Sequence, residues 1–470
     1  MSNFISSDYE TWNILIQVAI ISTMLLVGNV IRRKVKAFRN FLFPTAIIAG
    51  FIGLGIKYLI FGLNIKIEGE YVLTNGFLDL VTYHAIALGF IAMGLKQVKN
   101  DKTNKIKGRP VKTGLVIVNT YLLQGIIGLT VTIILANFLL NITPYSGILL
   151  PLGFGQGPGQ ANNIGGLFET SGGFVGGQTF GLSIATLGFL WASVAGVFYL
   201  NKRYREDKVK KHELSKGSIV LENEIETSEE IPVSEAIDKM SIQVTFIVVV
   251  YAVSYLFMWG LSTLIGPGSN ISGLIWGFNF IVAMLFAMLF KTILKGLRKS
   301  GLMTRKYTNE YMLNRITGVL FDFMVVTSIM AIDIEVLFKL DFLITLSIVT
   351  TIGGILTYFY LIFVTKKLYP DYQHEAFASL FGNLTGTASN GIALLREIDP
   401  NLETPAADNL VTGSSTAILF GFPILLITGV IYNPEWYYLW GSFILIIVIF
   451  VVFNYFMLKD FKKKEKINTQ

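Results

Sequence analysis

Between Thr113 and Asn201 the chain carries one charged side chain, that of Glu169. A soluble domain averages about one charged residue in four, so neither an aqueous loop nor a soluble core explains this stretch. The whole chain agrees, because only 15% of its 470 residues are charged and 53% are hydrophobic. Helices satisfy their own main-chain polar groups in hydrocarbon. The sequence therefore predicts an all-α polytopic membrane protein.

Eleven apolar stretches are long enough to cross a bilayer, which takes about 20 residues. Two further apolar stretches, near 146–168 and 376–396, contain too much glycine to be simple spans. The predicted spans lie near residues 12–31, 41–61, 77–95, 113–140, 175–200, 242–265, 271–291, 313–334, 342–365, 410–430 and 436–458.

The distribution of basic residues predicts the orientation of these spans. If the N-terminus lies outside, all but three of the 38 lysines and arginines fall on the cytoplasmic side, and the exceptions are Lys57, Lys66 and Lys339. Cytoplasmic segments of membrane proteins carry such an excess. The C-terminus is then cytoplasmic, and the net charge of +7 reflects topology rather than nucleic-acid binding. The chain has no cysteine and only three histidines, which argues against thiolate or multi-histidine metal centres.

A glycine-rich motif occurs twice. The first copy comprises Phe154–Gln156 and Gly159–Asn163, and the second comprises Phe381–Asn383 and Gly386–Asn390. In the predicted orientation the first copy follows the fourth span on the outer side, and the second follows the ninth span on the inner side. Similar motifs that enter from opposite faces are expected of two inverted-topology repeats.

The repeats predict the organisation of the chain. Each repeat has five helices and one re-entrant glycine-rich hairpin, and a charged cytoplasmic linker joins the two repeats. The predicted ranges are repeat A at 1–200, the linker at 201–240, repeat B at 241–430, and an extra C-terminal helix with a basic cytoplasmic tail at 431–470.

Interrupted helices inside a membrane favour binding of ions and small anions. Glycine permits positive φ, freed carbonyls and amide oxygens can replace the water around sodium, and helix N-termini attract carboxylates. We therefore expect Na⁺ at the hairpin tips, at Asn163 and Asn390, near mid-membrane. The candidate binding residues are Gly155, Gln156, Gly159, Gln160, Asn162 and Asn163 in the first hairpin, and Asn383, Thr385, Gly386, Thr387, Ser389 and Asn390 in the second.

Close helix packing is the alternative explanation for glycine. It accounts for Gly172 and Gly176, but not for the amides that accompany Gly155 and Gly382.

Charged groups near or inside the predicted spans each allow two interpretations. Asp322, near the middle of the eighth span, either couples to an ion or pairs with a basic group. Arg396 either binds a substrate carboxylate or anchors the chain at the inner surface. For His84 in the third span, we favour a hydrogen-bonded buried histidine over a proton relay.

The segment from Gly386 to Arg396, followed by Asp399 and Pro400, resembles the C-terminal motif of the bacterial sodium/glutamate symporter family. Leu152–Gly155 lies where that family has a glycine-rich pore-loop motif. The resemblance implies sodium-coupled uptake of L-glutamate or a similar anionic amino acid. It also implies alternating access by elevator-like motion and a homodimer. We expect the protein in the lipid of the bacterial inner membrane, with no cofactor apart from the coupling ion.

Two other functions remain open at this point. Related glycine-rich hairpins favour 2-hydroxycarboxylates such as citrate or malate as alternative substrates. An ion channel would use re-entrant loops as a selectivity filter, although two unequal copies argue against a symmetric filter. We do not expect an enzyme, since no nucleophile and base are spaced to meet on one helix face.

Overall fold

The computed structural model of the chain describes residues 9–96, 109–138, 140–206, 239–303, 305–400, 402 and 404–468. Most of the predicted linker 201–240 and the end of the predicted tail lie outside the described residues. Within the described ranges, strands β1 (Lys66–Ile67) and β2 (Glu70–Tyr71) form one short antiparallel hairpin. Its turn contains Glu68 and Gly69 with φ of 53° and 87°, the positive values that a tight hairpin turn requires. All other regular structure described is helical.

The predicted linker 201–240 divides the helices of the chain into two sets. Before it lie α1 (Tyr9–Lys34), α2 (Lys36–Asn40), α3 (Thr45–Gly62), α4 (Asn75–Leu95), α5 (Arg109–Phe138), α6 (Leu149–Pro151), α7 (Pro158–Thr170) and α8 (Gly177–Glu206). After it lie α9 (Lys239–Ile265), α10 (Asn270–Gly277), α11 (Asn279–Lys299), α12 (Glu310–Ala331), α13 (Ile334–Leu337), α14 (Leu340–Leu368), α15 (Gln373–Thr385), α16 (Ala388–Arg396), α17 (Ala406–Thr428) and α18 (Trp436–Asn468).

Ten described helices are long and apolar enough to cross a membrane, namely α1, α3, α4, α5, α8, α9, α11, α12, α14 and α18. The prediction of an all-α multi-pass membrane protein is therefore confirmed. The predicted span 410–430 corresponds to α17, which contains Pro423 and is not among these ten helices. The predicted span 271–291 is displaced, because α11 begins only at Asn279. Ser269 caps the separate short helix α10, and Phe278 (φ −101°, ψ 27°) interrupts the helical path.

The helices group into two compact units. The first unit holds α1 up to Ile31, α3, α4 and α9 to α12. The second unit holds residues 32–44, α5 to α8 and α13 to α18. Each unit takes helices from both sides of the linker, so the predicted repeats at 1–200 and 241–430 contribute to both units.

Small and hydroxyl side chains let helices of the first unit approach closely. The hydroxyls of Thr82 on α4 and Thr327 on α12 lie 2.8 Å apart, so each buried polar group finds its partner on the facing helix. On α3, a Cβ added to Gly50 would lie 2.8 Å from the side chain of Ile329. Packing through small residues and interhelical hydrogen bonds is how apolar helices associate in lipid.

Helix α5 is central to the second unit. The Nδ2 of Asn119 donates to the hydroxyl of Tyr360 on α14 across 3.0 Å, and the hydroxyls of Thr113 and Tyr369 lie 2.8 Å apart. Helices α7 and α8 pack backbone to backbone, because a Cβ on Gly181 would lie 2.5 Å from the main-chain oxygen of Ala161. These contacts place both glycine-rich segments beside long helices of the same unit.

Candidate functional site

The first glycine-rich segment is an interrupted helix. Helix α6 continues into a π-helical turn over Leu152–Gln156, and the helix then breaks at Gly157. Gly157 has φ 89° and ψ 177°, a conformation that side-chain-bearing residues rarely adopt. Pro158 begins α7 and disfavours the helical conformation for the residue before it. The Gly157-Pro158 pair therefore fixes the first break, and the predicted residues Gly155 and Gln156 lie half-buried directly before it.

Helix α7 carries the other predicted residues of the first segment in its first two turns. Gly159, Gln160, Asn162 and Asn163 are all buried. The Oδ1 of Asn162 accepts a hydrogen bond of 2.8 Å from Nε2 of Gln178, near the start of α8. The Oε1 of Gln160 has no hydrogen-bond partner in the described part of the chain. This segment thus buries several amides close to the break.

The second glycine-rich segment has a break of its own. Helix α15 ends at Thr385, and Gly386 (φ −146°, ψ −110°) leaves the helical path. Thr387 then caps α16, because its hydroxyl accepts a hydrogen bond of 3.4 Å from the main-chain nitrogen of Asn390. The same hydroxyl donates to Oδ1 of Asn390 across 3.0 Å. Asn390 therefore helps to build the break, in addition to any role as a ligand.

The remaining predicted residues of this segment differ in exposure. Asn383 is buried, and the buried hydroxyl of Thr385 donates to the main-chain oxygen of Phe381 across 2.7 Å. Ser389 lies exposed at the start of α16. The two arms of the segment meet closely, since a Cβ on Gly391 would overlap the main-chain oxygen of Ser379. Glycine is thus required where the arms touch.

Helix α8 brings the two breaks together at Gly188. A Cβ on this residue would lie 2.5 Å from the main-chain oxygen of Thr385, the last residue before the second break. It would also lie 2.9 Å from the ring of Phe154, three residues before the first break. The two segments, predicted as separate hairpins, therefore meet beside one glycine within the second unit.

Helix α5 also contacts both breaks, through two side chains one turn apart. The hydroxyl of Tyr121 donates to the main-chain oxygen of Gly155 across 3.0 Å. The Nε2 of Gln124 donates to the main-chain oxygen of Leu384 across 2.9 Å. Sequence reasoning missed both residues. The available signal was a pair of polar residues three apart in a charge-free span, a spacing that places them on one helix face.

A shallow cavity of about 340 Å³, open to the surroundings, lies along one face of α16. Ser389 stands at its N-terminal end and Arg396, whose side chain is exposed, at its C-terminal end. The residues that line the cavity are Ala388, Ser389, Ile392, Ala393 and Arg396. The structure therefore places the predicted Ser389 and Arg396 on one surface.

The other charged candidates lie elsewhere. Asp322 lies on the exposed side of α12 in the first unit, whereas both breaks belong to the second. The Nδ1 of His84 lies 2.7 Å from the hydroxyl of Tyr251, as the hydrogen-bonded interpretation predicts. The Glu169 carboxylate accepts hydrogen bonds from the main-chain nitrogens of Gly176 and Gln178, at 3.2 and 3.3 Å, and so caps the start of α8.

The oxygens around the breaks come from amides, hydroxyls and the main chain. Among the described residues, no group of three histidine or acidic side chains comes together to hold a metal ion. Unwound carbonyls and helix C-termini are the groups that coordinate sodium in transporters with broken helices. The donor set at the breaks thus suits a monovalent hard cation.

No protein-family model matches the chain, and no curated protein matches it significantly. The resemblance to the sodium/glutamate symporter family therefore stays a prediction, which rests on the segments Leu152–Gly155 and Gly386–Arg396.

Proposed function

We propose that the chain is a secondary transporter that couples sodium to the uptake of L-glutamate or a similar anionic amino acid. The observation that carries the proposal is the meeting of two interrupted helices at Gly188, against one face of α5. Irregular backbone persists at membrane depth only where protein buries it or where it lines a cavity. Transporters use such broken helices to bind substrates and coupling ions.

The order of helices supports two inverted repeats with re-entrant hairpins. Helix α5, the first broken segment and α8 form one series, and α14, the second broken segment and α17 form another in the same order. With the orientation that the basic residues predict, the two segments enter from opposite sides and both chain termini follow the positive-inside rule. We place the protein in the bacterial inner membrane as a homodimer that works by alternating access. The unit that carries both breaks moves the substrate.

The α16 surface supplies recognition of a small carboxylic acid. The N-terminus of α16 carries the positive end of the helix dipole. Apart from the Asn390 N–H, which Thr387 caps, its first main-chain N–H groups have no acceptor within the helix. Arg396 offers a guanidinium, which pairs with carboxylates through two parallel hydrogen bonds. A substrate with two carboxylates can engage both ends of the cavity, and this arrangement favours glutamate over neutral amino acids.

One observation favours the 2-hydroxycarboxylates as the second candidate. The five residues that line the cavity include no acidic side chain, so none of them offers a carboxylate to the ammonium group of an amino acid. Citrate or malate would need no such partner. A channel remains less favoured than either transporter, because the two broken segments are unequal in sequence and in structure.

Ligand-induced stabilisation in sodium tests the substrate class. We expect L-glutamate to raise the melting temperature of the purified protein in nanodiscs when sodium is present, and not when choline replaces it. Arg396→Gln should remove this shift, whereas Lys366→Gln, a change of the same charge at the end of α14, should preserve it. Stabilisation by citrate or malate alone would transfer the proposal to hydroxycarboxylates. Stabilisation by none of these acids would reject the α16 cavity as the substrate site.

A further inference from the structure

The side-chain amide of Gln124 is held in one orientation. Its nitrogen lies 2.9 Å from the main-chain oxygen of Leu384, and that oxygen can only accept. The nitrogen also donates to the hydroxyl of Thr357 across 3.2 Å. Both amide hydrogens are thereby engaged, which fixes the position of Oε1 as well.

The described part of the chain gives this oxygen no hydrogen bond. Gln124 is fully buried at 0% exposure, and its Oε1 has no partner in the part of the chain that the structure describes. Buried acceptors without a partner are few in proteins, and each requires an explanation. The charge-free stretch between Thr113 and Glu169 means that no cationic side chain near Gln124 along α5 supplies one.

The surroundings of this oxygen favour a positive charge. Leu384 is the penultimate residue of α15, and the last four carbonyls of a helix lack intrahelical donors. These carbonyls carry the negative end of the helix dipole. Gly386 stops the helix from continuing, so the carbonyl end stays at the break. A buried oxygen without a donor, next to the carbonyl end of a helix, suits a cation.

We infer that Gln124 is a ligand of the coupling cation, which sits at the carboxyl end of α15 and is bound by Oε1 of Gln124 together with main-chain oxygens of the last turn. The inference rests on the proposed sodium coupling. It assigns to the ion site a residue of α5 that lies outside both glycine-rich segments.

Sodium-dependent thermal stability of the full chain tests the inference without any need for transport. The purified protein in nanodiscs is titrated with sodium chloride, with choline chloride keeping the ionic strength constant. We expect Gln124→Leu, which removes the oxygen, to raise the half-saturating sodium concentration by about tenfold or more. Gln124→Lys provides a second variant, because its ammonium can donate to Leu384 and places a fixed positive charge at the site. It should abolish the sodium response while retaining the folded protein.

Thr357→Val is the matched control. It removes the hydroxyl that accepts from the same amide but leaves Oε1 in place, so the half-saturating sodium concentration should equal that of the wild type. Size exclusion and circular dichroism establish that each variant is folded. Wild-type sodium dependence in folded Gln124→Leu and Gln124→Lys would overturn the inference.

The outcomes separate this inference from the proposed function. A wild-type protein without any sodium response would contradict both. A wild-type response that both Gln124 variants keep would overturn the ligand assignment alone. A response weakened in Gln124→Leu and lost in Gln124→Lys, in a protein that takes up no glutamate, would support the ion site and reject the proposed substrate.

Discussion

The hydroxyl of Tyr121 on α5 donates a hydrogen bond of 3.0 Å to the main-chain oxygen of Gly155, and its ring occupies the space where a side chain at residue 155 would begin. The hydrogen bond from the Tyr121 hydroxyl and the packing of its ring therefore both act on Gly155. The first break is therefore fixed to α5 by a contact that no residue other than glycine permits at position 155.

Substitutions at this pair should depend on one another. Gly155→Ala places a methyl group into the Tyr121 ring and should lower the melting temperature and abolish uptake. Tyr121→Phe keeps the ring and loses one hydrogen bond, which typically costs about 1 kcal/mol. Adding Tyr121→Leu to Gly155→Ala should restore part of the lost stability, because it removes the ring. Wild-type stability of Gly155→Ala alone would contradict the contact.

Gly188 offers a test of the meeting point of the two breaks. Gly188→Ala should impair uptake strongly, because its methyl group has to displace the Thr385 oxygen or the Phe154 ring. Gly166→Ala on α7 is the matched control, since no atom lies within 4 Å of its added Cβ, and alanine also favours the helix. Uptake rates and melting temperatures of the two variants decide the question. Equal effects of the two substitutions on uptake and melting temperature would contradict a meeting of the two breaks at Gly188.

The amides of the two breaks should be essential for transport. We expect Asn163→Ala and Asn390→Ala to abolish coupled uptake in membranes where both proteins remain inserted. Asn390→Ala should also lower the melting temperature, because it removes the hydrogen bond with Thr387. Asn137→Ala, near the exposed end of α5, should leave uptake unchanged. Normal transport by both break variants would reject the breaks as the site.

Substitution of Asp322 distinguishes a role in ion coupling from a structural role. The predicted coupling role requires Asp322→Asn to change the half-saturating sodium concentration for uptake, since the substitution keeps the shape and removes the charge. The measurement is initial uptake rate against sodium concentration in proteoliposomes. An unchanged sodium dependence, with lower stability, would assign Asp322 to the structure of the first unit.

Lys96 should titrate near physiological pH. It directly follows α4, and burial lowers its pKa to about 8, although the nearby Glu310 carboxylate acts in the opposite direction. Between about pH 8 and the ordinary lysine pKa of about 10.4, the unfolded chain binds more protons than the folded one. Stability contributed by this group therefore rises with pH across that window.

Nuclear magnetic resonance of ¹³C-dimethylated lysines can follow this titration, with Lys96→Arg assigning the signal. Glu310→Gln should shift the midpoint further down, because it removes the carboxylate that favours the ammonium. A midpoint near the ordinary lysine value in the wild type would show that the side chain is solvated.

The sequence located the elements well and their contacts poorly. Apolar length identified ten of the eleven predicted spans, and the repeated motif identified both interrupted segments, because these properties are local. The seventh span was misplaced even though Ser269 is a readable helix cap, since hydropathy alone runs through the interruption at Phe278. The bond from Gln124 to Leu384 joins residues on opposite sides of the linker, and no periodicity encodes such a pairing. The two compact units were not predicted for the same reason, because each combines helices from both halves of the chain.

Uptake of labelled L-glutamate into proteoliposomes, with and without an inward sodium gradient, is the decisive test of sodium-coupled transport. We expect accumulation above the external concentration only with the gradient, and loss of accumulation in Gly188→Ala but not in Gly166→Ala. A channel cannot concentrate its substrate, so equilibration without accumulation would contradict a coupled transporter. Absence of uptake for glutamate, citrate and malate alike, by intact protein, would contradict the proposed function as a whole.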